Sequence, residues 1–137
     1  MTIIELTDIL TETFESIEQV KQVSFGDAYL VLDNLQVKYP IVCFAPMAME
    51  REENLVTWTF RIYAAERLQD GQFNTLYNYA ELVQVLETGL TAVRNHDGIV
   101  DLEYPVRYQL ANQKFNDVNT VVYADVDIVT LNNTPLC

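Results

Sequence analysis

The segment IVCFAPM at residues 41–47 and the segment LVTWTFRIY at residues 55–63 decide the fold of this chain. In the second segment every other residue is large and apolar: Val56, Trp58, Phe60 and Ile62. Such alternation is typical of a β-strand that is buried on one face. The charged residues 50–54 between the two segments predict a turn. We therefore expect a long antiparallel hairpin whose apolar side faces the core.

The first strand of this hairpin is apolar on both sides. Pro40 precedes it, at a position where the missing N–H of proline is tolerated. Ile41 and Cys43 are predicted to face one way, and Val42 and Phe44 the other. A strand with two apolar faces is typical of a sheet that is covered on both sides. The second strand is predicted to turn a different set outward: Thr57, Thr59, Arg61 and Tyr63.

Two amphipathic helices are predicted to pack on this sheet. The first spans residues 3–19, with Thr2 as its cap and Glu5 completing a capping box. Its apolar stripe consists of Ile3, Leu6, Leu10, Phe14 and Ile17. The second spans residues 76–95 and has a longer stripe of Leu76, Ala80, Val83, Leu86, Leu90 and Val93. Further apolar residues widen this stripe, which is typical of a helix that is deeply buried or also covers a partner.

The remaining segments complete an α+β pattern. Residues 20–25 and 99–103 predict short strands, and residues 28–38 predict a connecting excursion. Residues 106–111 and 122–129 alternate and predict a second hairpin. We therefore expect a single α+β domain over residues 1–137. Its mostly antiparallel sheet, with the long hairpin, packs against the N-terminal helix and the central amphipathic helix.

Composition narrows the class of partner. The 137 residues include 20 acids and 8 Lys or Arg, for a net charge of −12, and half of the residues are hydrophobic. An acidic chain is poorly suited to tight binding of a phosphate backbone, which requires a basic face to displace counterions. No stretch reaches the roughly 18 apolar residues of a membrane helix, so we expect no membrane partner.

Residues with catalytic potential are sparse. The single histidine, His96, and the two cysteines, Cys43 and Cys137, do not form a zinc-binding set, and no glycine-rich phosphate loop is present. We expect no metal and no cofactor. Asp125 and Asp127 fall on one face of a strand, about 7 Å apart. That spacing suits either a divalent ion, a pair of catalytic acids, or the ordinary outer face of an acidic protein.

The order of elements resembles the tail-terminator and neck-ring proteins of tailed bacteriophages. Three features carry the resemblance, which extends over residues 1–131. They are the strand entry YPIV at residues 39–42, the alternating strand NLVTWTFRIY at 54–63, and the helix start NTL at 74–76. The resemblance implies a non-enzymatic virion protein, assembled in the host cytoplasm into a ring of six or twelve copies. Such a ring adjoins portal, connector or tail-tube proteins, and DNA passes through it without sequence-specific binding.

The resemblance also directs attention to particular surfaces. The hairpin tip is expected to touch a neighbouring subunit through Glu50, Arg51, Glu52, Glu53 and Asn54. The outward residues Thr57, Thr59 and Arg61 are expected at the same boundary, and Arg61 and Arg67 are expected to pair with acids across it. An acidic lumen or interlayer surface is expected at Glu5, Asp8, Glu12, Glu15 and Glu18.

Two other functional classes remain open from the residues alone. One is a small acidic cytosolic adaptor that binds a protein partner as a monomer or dimer. The other is a metal-dependent hydrolase that acts through Asp125 and Asp127.

Overall fold

The computed structural model describes residues 1–26, 37–67, 75–114 and 118–132. Within these residues the chain forms two helices, α1 (Ile3–Glu15) and α2 (Thr75–Arg94). It also forms six strands: β1 (Gln22–Phe25), β2 (Ile41–Arg51), β3 (Leu55–Arg67), β4 (Asp101–Leu102), β5 (Gln109–Lys114) and β6 (Val118–Leu131). Neither helix is long and apolar enough to cross a membrane.

All six strands belong to one sheet, in the order β1-β2-β3-β6-β4, with β5 also paired to β6. The β1–β2 pair is parallel and all other pairs are antiparallel. The predicted α+β class, with its long hairpin and two helices, is therefore confirmed. At the outer edge of β6, β5 pairs with residues 118–123 and β4 pairs with residues 128–129.

The predicted alternation of the long hairpin is confirmed on its helix side. The apolar residues of β3 face the helices and lie in the main core: Val56, Trp58, Phe60 and Ile62. Tyr63 was predicted to face solvent, but it is only 7% exposed. It joins a second, smaller apolar cluster with Ile41, Cys43, Ala65 and Val121. The first residues of β2 are thus buried on both faces, as their sequence indicates.

Helix α1 begins as predicted and ends early. The Glu5 N–H donates to Thr2 Oγ1 at 3.2 Å, and the Thr2 hydroxyl donates to Glu5 Oε1 at 3.3 Å. Leu6, Leu10 and Phe14 are fully buried. The helix was predicted to reach residue 19 but ends at Glu15, with Ser16 as its C-terminal cap. Glu18 therefore lies beyond the helix rather than on its acidic side.

Helix α2 is buried mainly through its later turns. Its fully or nearly fully buried side chains are Leu82, Val85, Leu86, Leu90 and Val93. The predicted stripe also included Leu76 and Ala80, and both are exposed; Leu76 precedes Asn78, the first buried residue of α2. Gly89 faces the Phe14 ring so closely that a Cβ there would overlap the ring. The missing side chain is what lets α1 and α2 approach each other.

The C-terminal strands differ from the prediction in their bounds. Strand β5 begins at Gln109 and not at Val106, and it continues to Lys114. The turn of the second hairpin, at residues 115–117, lies outside the described residues, as does most of the excursion predicted for residues 28–38. Cys137 lies outside them too.

Candidate functional site

Strand β2 has two halves with different neighbours. Residues 41–44, the near half, pair with β1 on one side and β3 on the other. Strand β1 ends at Phe25, and the N–H of Gly26, a residue with φ of 137°, bonds to Phe44 O at 2.9 Å. Beyond that point no described strand pairs with the outer side of β2. Residues 46–51, the far half, therefore present an open sheet edge, which is a template for pairing with another chain.

The far half combines exposed apolar side chains with features that restrict pairing. Met47 and Met49 are 51% and 53% exposed. Pro46 offers no N–H, and the register with β3 shifts between Pro46 and Ala48. Proline and bulges at an edge limit pairing with arbitrary strands. Methionine side chains are unbranched and adapt readily to a contacting surface. This edge suits a partner whose shape fits the irregular register.

The hairpin tip is exposed but does not stand alone. All five predicted tip residues, 50–54, are exposed, although Glu50 and Arg51 are the last two residues of β2 rather than part of the turn. The Asn132 side-chain amide donates to Glu52 O at 3.2 Å and to Glu53 O at 3.3 Å, and the Asn132 N–H bonds to Asn54 O at 2.9 Å. These bonds tie the tip to the end of β6. No local signal in the sequence links Asn132 to a turn about 80 positions away.

The outward residues of β3 form cross-strand pairs with β6. Arg61 lies opposite Asp125 and contacts it through two bonds, Nε to Oδ1 at 2.7 Å and Nη2 to Oδ2 at 3.1 Å. This hydrogen bonding raises the pKa of the Arg61 guanidinium above its ordinary value. The guanidinium also lies 5.4 Å from the centre of the Tyr123 ring. Arg61 thus has an acidic partner within its own chain, and pairing across a subunit boundary stays a prediction.

Asp125 and Asp127, the two aspartates considered as catalytic acids, both bind side chains of β3. Asp125 binds Arg61, and Asp127 Oδ1 accepts a hydrogen bond from the Thr59 hydroxyl at 2.6 Å. Thr57, the third predicted outward residue, lies opposite Val129. Among the described residues, no group of three or more His, Cys, Asp or Glu is placed to hold a metal ion. These cross-strand bonds give both carboxylates a role in the sheet.

Arg67 lies far from the other predicted interface residues. It ends β3, so it is about 40 Å from the tip at the usual rise per residue. Its guanidinium lies 5.3 Å from the centre of the Tyr39 ring, and its N–H donates to Glu66 Oε1 at 2.9 Å. Burial raises the pKa of the Glu66 carboxyl above its ordinary value. The structure therefore places Arg67 at the opposite end of the hairpin from residues 50–54.

The acidic residues of α1 share one exposed side. At 100° per residue, Glu5, Asp8, Glu12 and Glu15 lie opposite the buried stripe, and each is exposed. Glu18 is exposed as well, in the turn that follows α1. The five residues predicted as a lumen or interlayer surface are thus accessible, with four of them aligned.

An apolar groove lies between the start of α1 and the end of β1. We call it the α1–β1 groove; it has a volume of about 230 Å³ and is lined by Ile3, Ile4, Thr7, Asp8 and Phe25. Ile4 is 71% exposed and Phe25 is 58% exposed. The sequence carried one signal of this groove, because Ile4 is apolar yet falls outside the buried stripe of α1.

A second cleft, of about 340 Å³, lies between α2 and the segment that precedes β5. It is lined by Glu87, Thr91, Tyr104, Pro105, Val106 and Tyr108. Burial, together with the charge of Glu87, raises the pKa of the Tyr108 hydroxyl to about 12. At its side, Arg94 lies 4.8 Å from the centre of the Tyr104 ring and 3.1 Å from Asp101 Oδ1. These contacts hold the aromatic wall of the cleft in place.

Comparison with known proteins gives little further information. No protein-family model matches the chain, and no curated protein matches it. Among solved structures, it is similar to the core region of PilO from the type IV pilus system of Pseudomonas aeruginosa, with 10% sequence identity and a TM-score of 0.35. The alignment covers 69% of this chain and 79% of that chain. We draw no conclusion about function from a likeness at this level.

Proposed function

We propose that this chain is a non-enzymatic structural subunit of a homo-oligomeric ring in a tailed-phage virion, at the head–tail connector or the tail terminus. The resemblance of its sequence to tail-terminator and neck-ring proteins suggests the location. The main structural support is the open edge along the far half of β2, with Met47 and Met49 exposed on it. An edge of this kind is a pairing surface that a lone subunit leaves unused.

A ring subunit must contact two neighbours through different surfaces. The far half of β2 lies on one side of the sheet, and β5 lies on the other side, paired on one edge with β6. No described strand pairs with the outer edge of β5. Two different contact surfaces on opposite sides produce head-to-tail assembly, which closes into a ring when the rotation between neighbours permits. The arrangement of the sheet is compatible with that requirement.

The charge of the chain supports a role beside DNA rather than one in binding it. The net charge is −12, and the acids of α1 are aligned on one exposed side. An acidic wall repels a phosphate backbone, so DNA passing such a wall is not retained by it. We place the acidic side of α1 toward the lumen of the ring or toward an adjacent layer of portal, connector or tail-tube protein.

Imaging of the intact virion tests this proposal. We expect density for the chain as a closed ring of six or twelve copies around the DNA path, between head and tail or at the end of the tail tube. Density at another position in the particle would contradict the proposal. Complete and infectious particles formed without the chain would contradict it as well.

A charge reversal at the hairpin tip tests the role of that surface. Glu50, Glu52 and Glu53 are exposed, so their replacement by Lys is expected to leave the fold intact. We expect the triple variant to remain folded by circular dichroism but to be excluded from particles. The control reverses three exposed acids elsewhere, Glu87, Asp97 and Glu103, and is expected to be incorporated. Equal incorporation of both variants would remove the tip from the proposed interface.

A further inference from the structure

Two exposed apolar features lie apart on the molecule, the α1–β1 groove beside β1 and the start of α2 over β6. We propose that a second copy of this chain docks Leu76 and Tyr77, at the start of its α2, into the α1–β1 groove. The inference rests on the proposed self-assembly and names the surfaces that make one of its contacts.

The groove is the receiving surface. Three of its five lining residues, Ile3, Ile4 and Phe25, are large and apolar, and all three are exposed. Its volume is about 230 Å³, and apolar cavities of about 150 Å³ already accept a benzene ring. The groove is open to solvent, so an aromatic side chain can be laid against it from outside. The Phe25 ring is held edge-on against Phe44, with ring centres 6.0 Å apart, so the floor of the groove is supported by the core.

The first turn of α2 is the inserting surface. Leu76 and Tyr77 are each 80% exposed, the largest exposed fractions among the large hydrophobic side chains that the structure describes. They are adjacent in sequence and project from the helix before its first buried residue, Asn78. An isolated exposed apolar residue is unremarkable, whereas an adjacent pair at the end of a helix forms a contiguous patch. We call these residues the Leu76–Tyr77 pair.

The pair cannot fill the groove of its own chain. Asn78, next to the pair, donates to Thr120 Oγ1 of β6 at 3.4 Å, which places the start of α2 over β6. The groove adjoins β1, three strands away in the sheet order. Three strand spacings amount to about 14 Å. Contact between the two features therefore requires a second copy, and each copy retains one free groove and one free pair.

The helix start and the rim of the groove are opposite in charge, although Glu81, one turn after Tyr77, is exposed on the same side of α2. The first turn of α2 contains no acidic residue, so the positive end of its helix dipole is not offset by a side chain there. Asp8 lines the groove, and the acidic side of α1 continues beside it with Glu5 and Glu12. Docking brings a positive helix start toward these carboxylates. The Tyr77 hydroxyl, at the end of the inserted ring, is a donor suited to the Asp8 carboxylate.

Two complementary variants test this contact by sedimentation velocity at protein concentrations from about 10 μM to about 1 mM, the range of a weak interface. Ile4→Glu blocks the groove, and the double variant Leu76→Glu/Tyr77→Glu removes the pair. Each altered side chain is more than two-thirds exposed, so folding is expected to be retained. The control is Val100→Glu, at an apolar residue that is 50% exposed on another surface.

We expect the sedimentation coefficient of the wild type and of Val100→Glu to rise with concentration, while each complementary variant stays monomeric. An equimolar mixture of the two variants is expected to form a dimer and nothing larger. The mixture retains only one intact groove and one intact pair, on different chains. This dimer identifies a head-to-tail contact, since a groove-to-groove contact would let the double variant, whose groove is intact, associate on its own.

Three results would overturn the docking contact. They are a wild type that stays monomeric up to about 1 mM, variants that associate as the wild type does, and a mixture that gives no dimer. None of these results contradicts the ring proposal, because a ring can also assemble through the β2 edge and the β5 edge, or only on the growing virion. Images of the particle test that assembly. The images could instead show the chain outside any ring while the two variants still form a dimer in the mixture. That outcome would contradict the ring proposal but not the docking contact.

Discussion

Residues 41–44 of β2 are fully buried, whereas Met47 and Met49 of the same strand are about half exposed. Both halves pair with β3 and both are rich in apolar residues. They differ in what lies on their other side. The near half has β1 as a second neighbour, and the far half continues past the end of β1 at Phe25. Because β1 is only four residues long, residues 41–44 of β2 belong to the core and residues 46–51 form an edge that is available to a partner.

The change from buried to exposed residues occurs along β2 only, and not along β3, the other strand of the hairpin. Opposite the far half, β3 still contributes Val56 and Trp58 to the core, because β6 accompanies it as far as Leu131. The far half of β2 is therefore a rigidly supported edge rather than a loose arm. A surface held in place in this way loses less conformational entropy when a partner binds.

The largest effect is expected from truncating the near half. Phe44 is fully buried, with Phe60 6.1 Å away between ring centres. Phe44→Ala should lower the free energy of unfolding by about 3–5 kcal/mol, because it removes packing and leaves a cavity. Met49→Ala, in the far half, should cost within about 0.5 kcal/mol. Urea unfolding measures both, and equal losses would show that the two halves do not differ as described.

A smaller effect is expected from a buried hydrogen bond of β3 opposite the far half. The Trp58 indole N–H donates to the Thr130 hydroxyl at 3.0 Å, and Thr130 is fully buried. Thr130→Val leaves the indole N–H without its acceptor and should cost about 1–3 kcal/mol in urea unfolding. Thr57→Val, at a half-buried outward position, is the control and should cost less. A negligible loss for Thr130→Val would mean that water replaces the bond and that this end of the core is open.

The next effect concerns the helix layer that covers the near half. Gly89→Ala places a methyl group against the buried Phe14 ring. Overpacking costs about 1–3 kcal/mol, and replacing Gly in a helix returns up to about 1 kcal/mol. We expect a net loss of about 1–2 kcal/mol, measured by thermal unfolding. Thr88→Ala, at the exposed neighbouring position, is the control. If Gly89→Ala stabilised the protein, the close approach of α1 and α2 would be refuted.

The smallest effect is expected where the near half gives way to the far half. Arg61 lies opposite Ala45 of β2 and pairs with Asp125 of β6. Both partners are partly exposed, at 32% and 46%, so Arg61→Gln should cost only about 0.2–1 kcal/mol, and less in high salt. Asp125→Asn should cost about the same, and the double variant little more. Strictly additive losses would show that the two groups act separately.

Much of the candidate surface followed from local patterns. The tip residues 50–54 and the acids of α1 were recognised from charge and helical spacing, and all are exposed. Other features join residues that are distant in sequence and gave no local signal. They include the Asn132 bonds to the tip, the Arg61–Asp125 pair and the α1–β1 groove. Each depends on strand register or on which elements lie side by side.

The sequence by itself determined the elements and the direction of their faces. A period of two fixes which β3 side chains face the core, and a spacing of three and four fixes the buried stripe of α1. Tertiary structure decided which apolar residues remain outside. Tyr63 is buried because a second cluster covers the other face of the sheet, whereas Leu76, Tyr77, Met47 and Met49 are exposed where α2 and β2 extend beyond their neighbours. Periodicity reports which side of an element is apolar, but burial also depends on where the adjacent element ends.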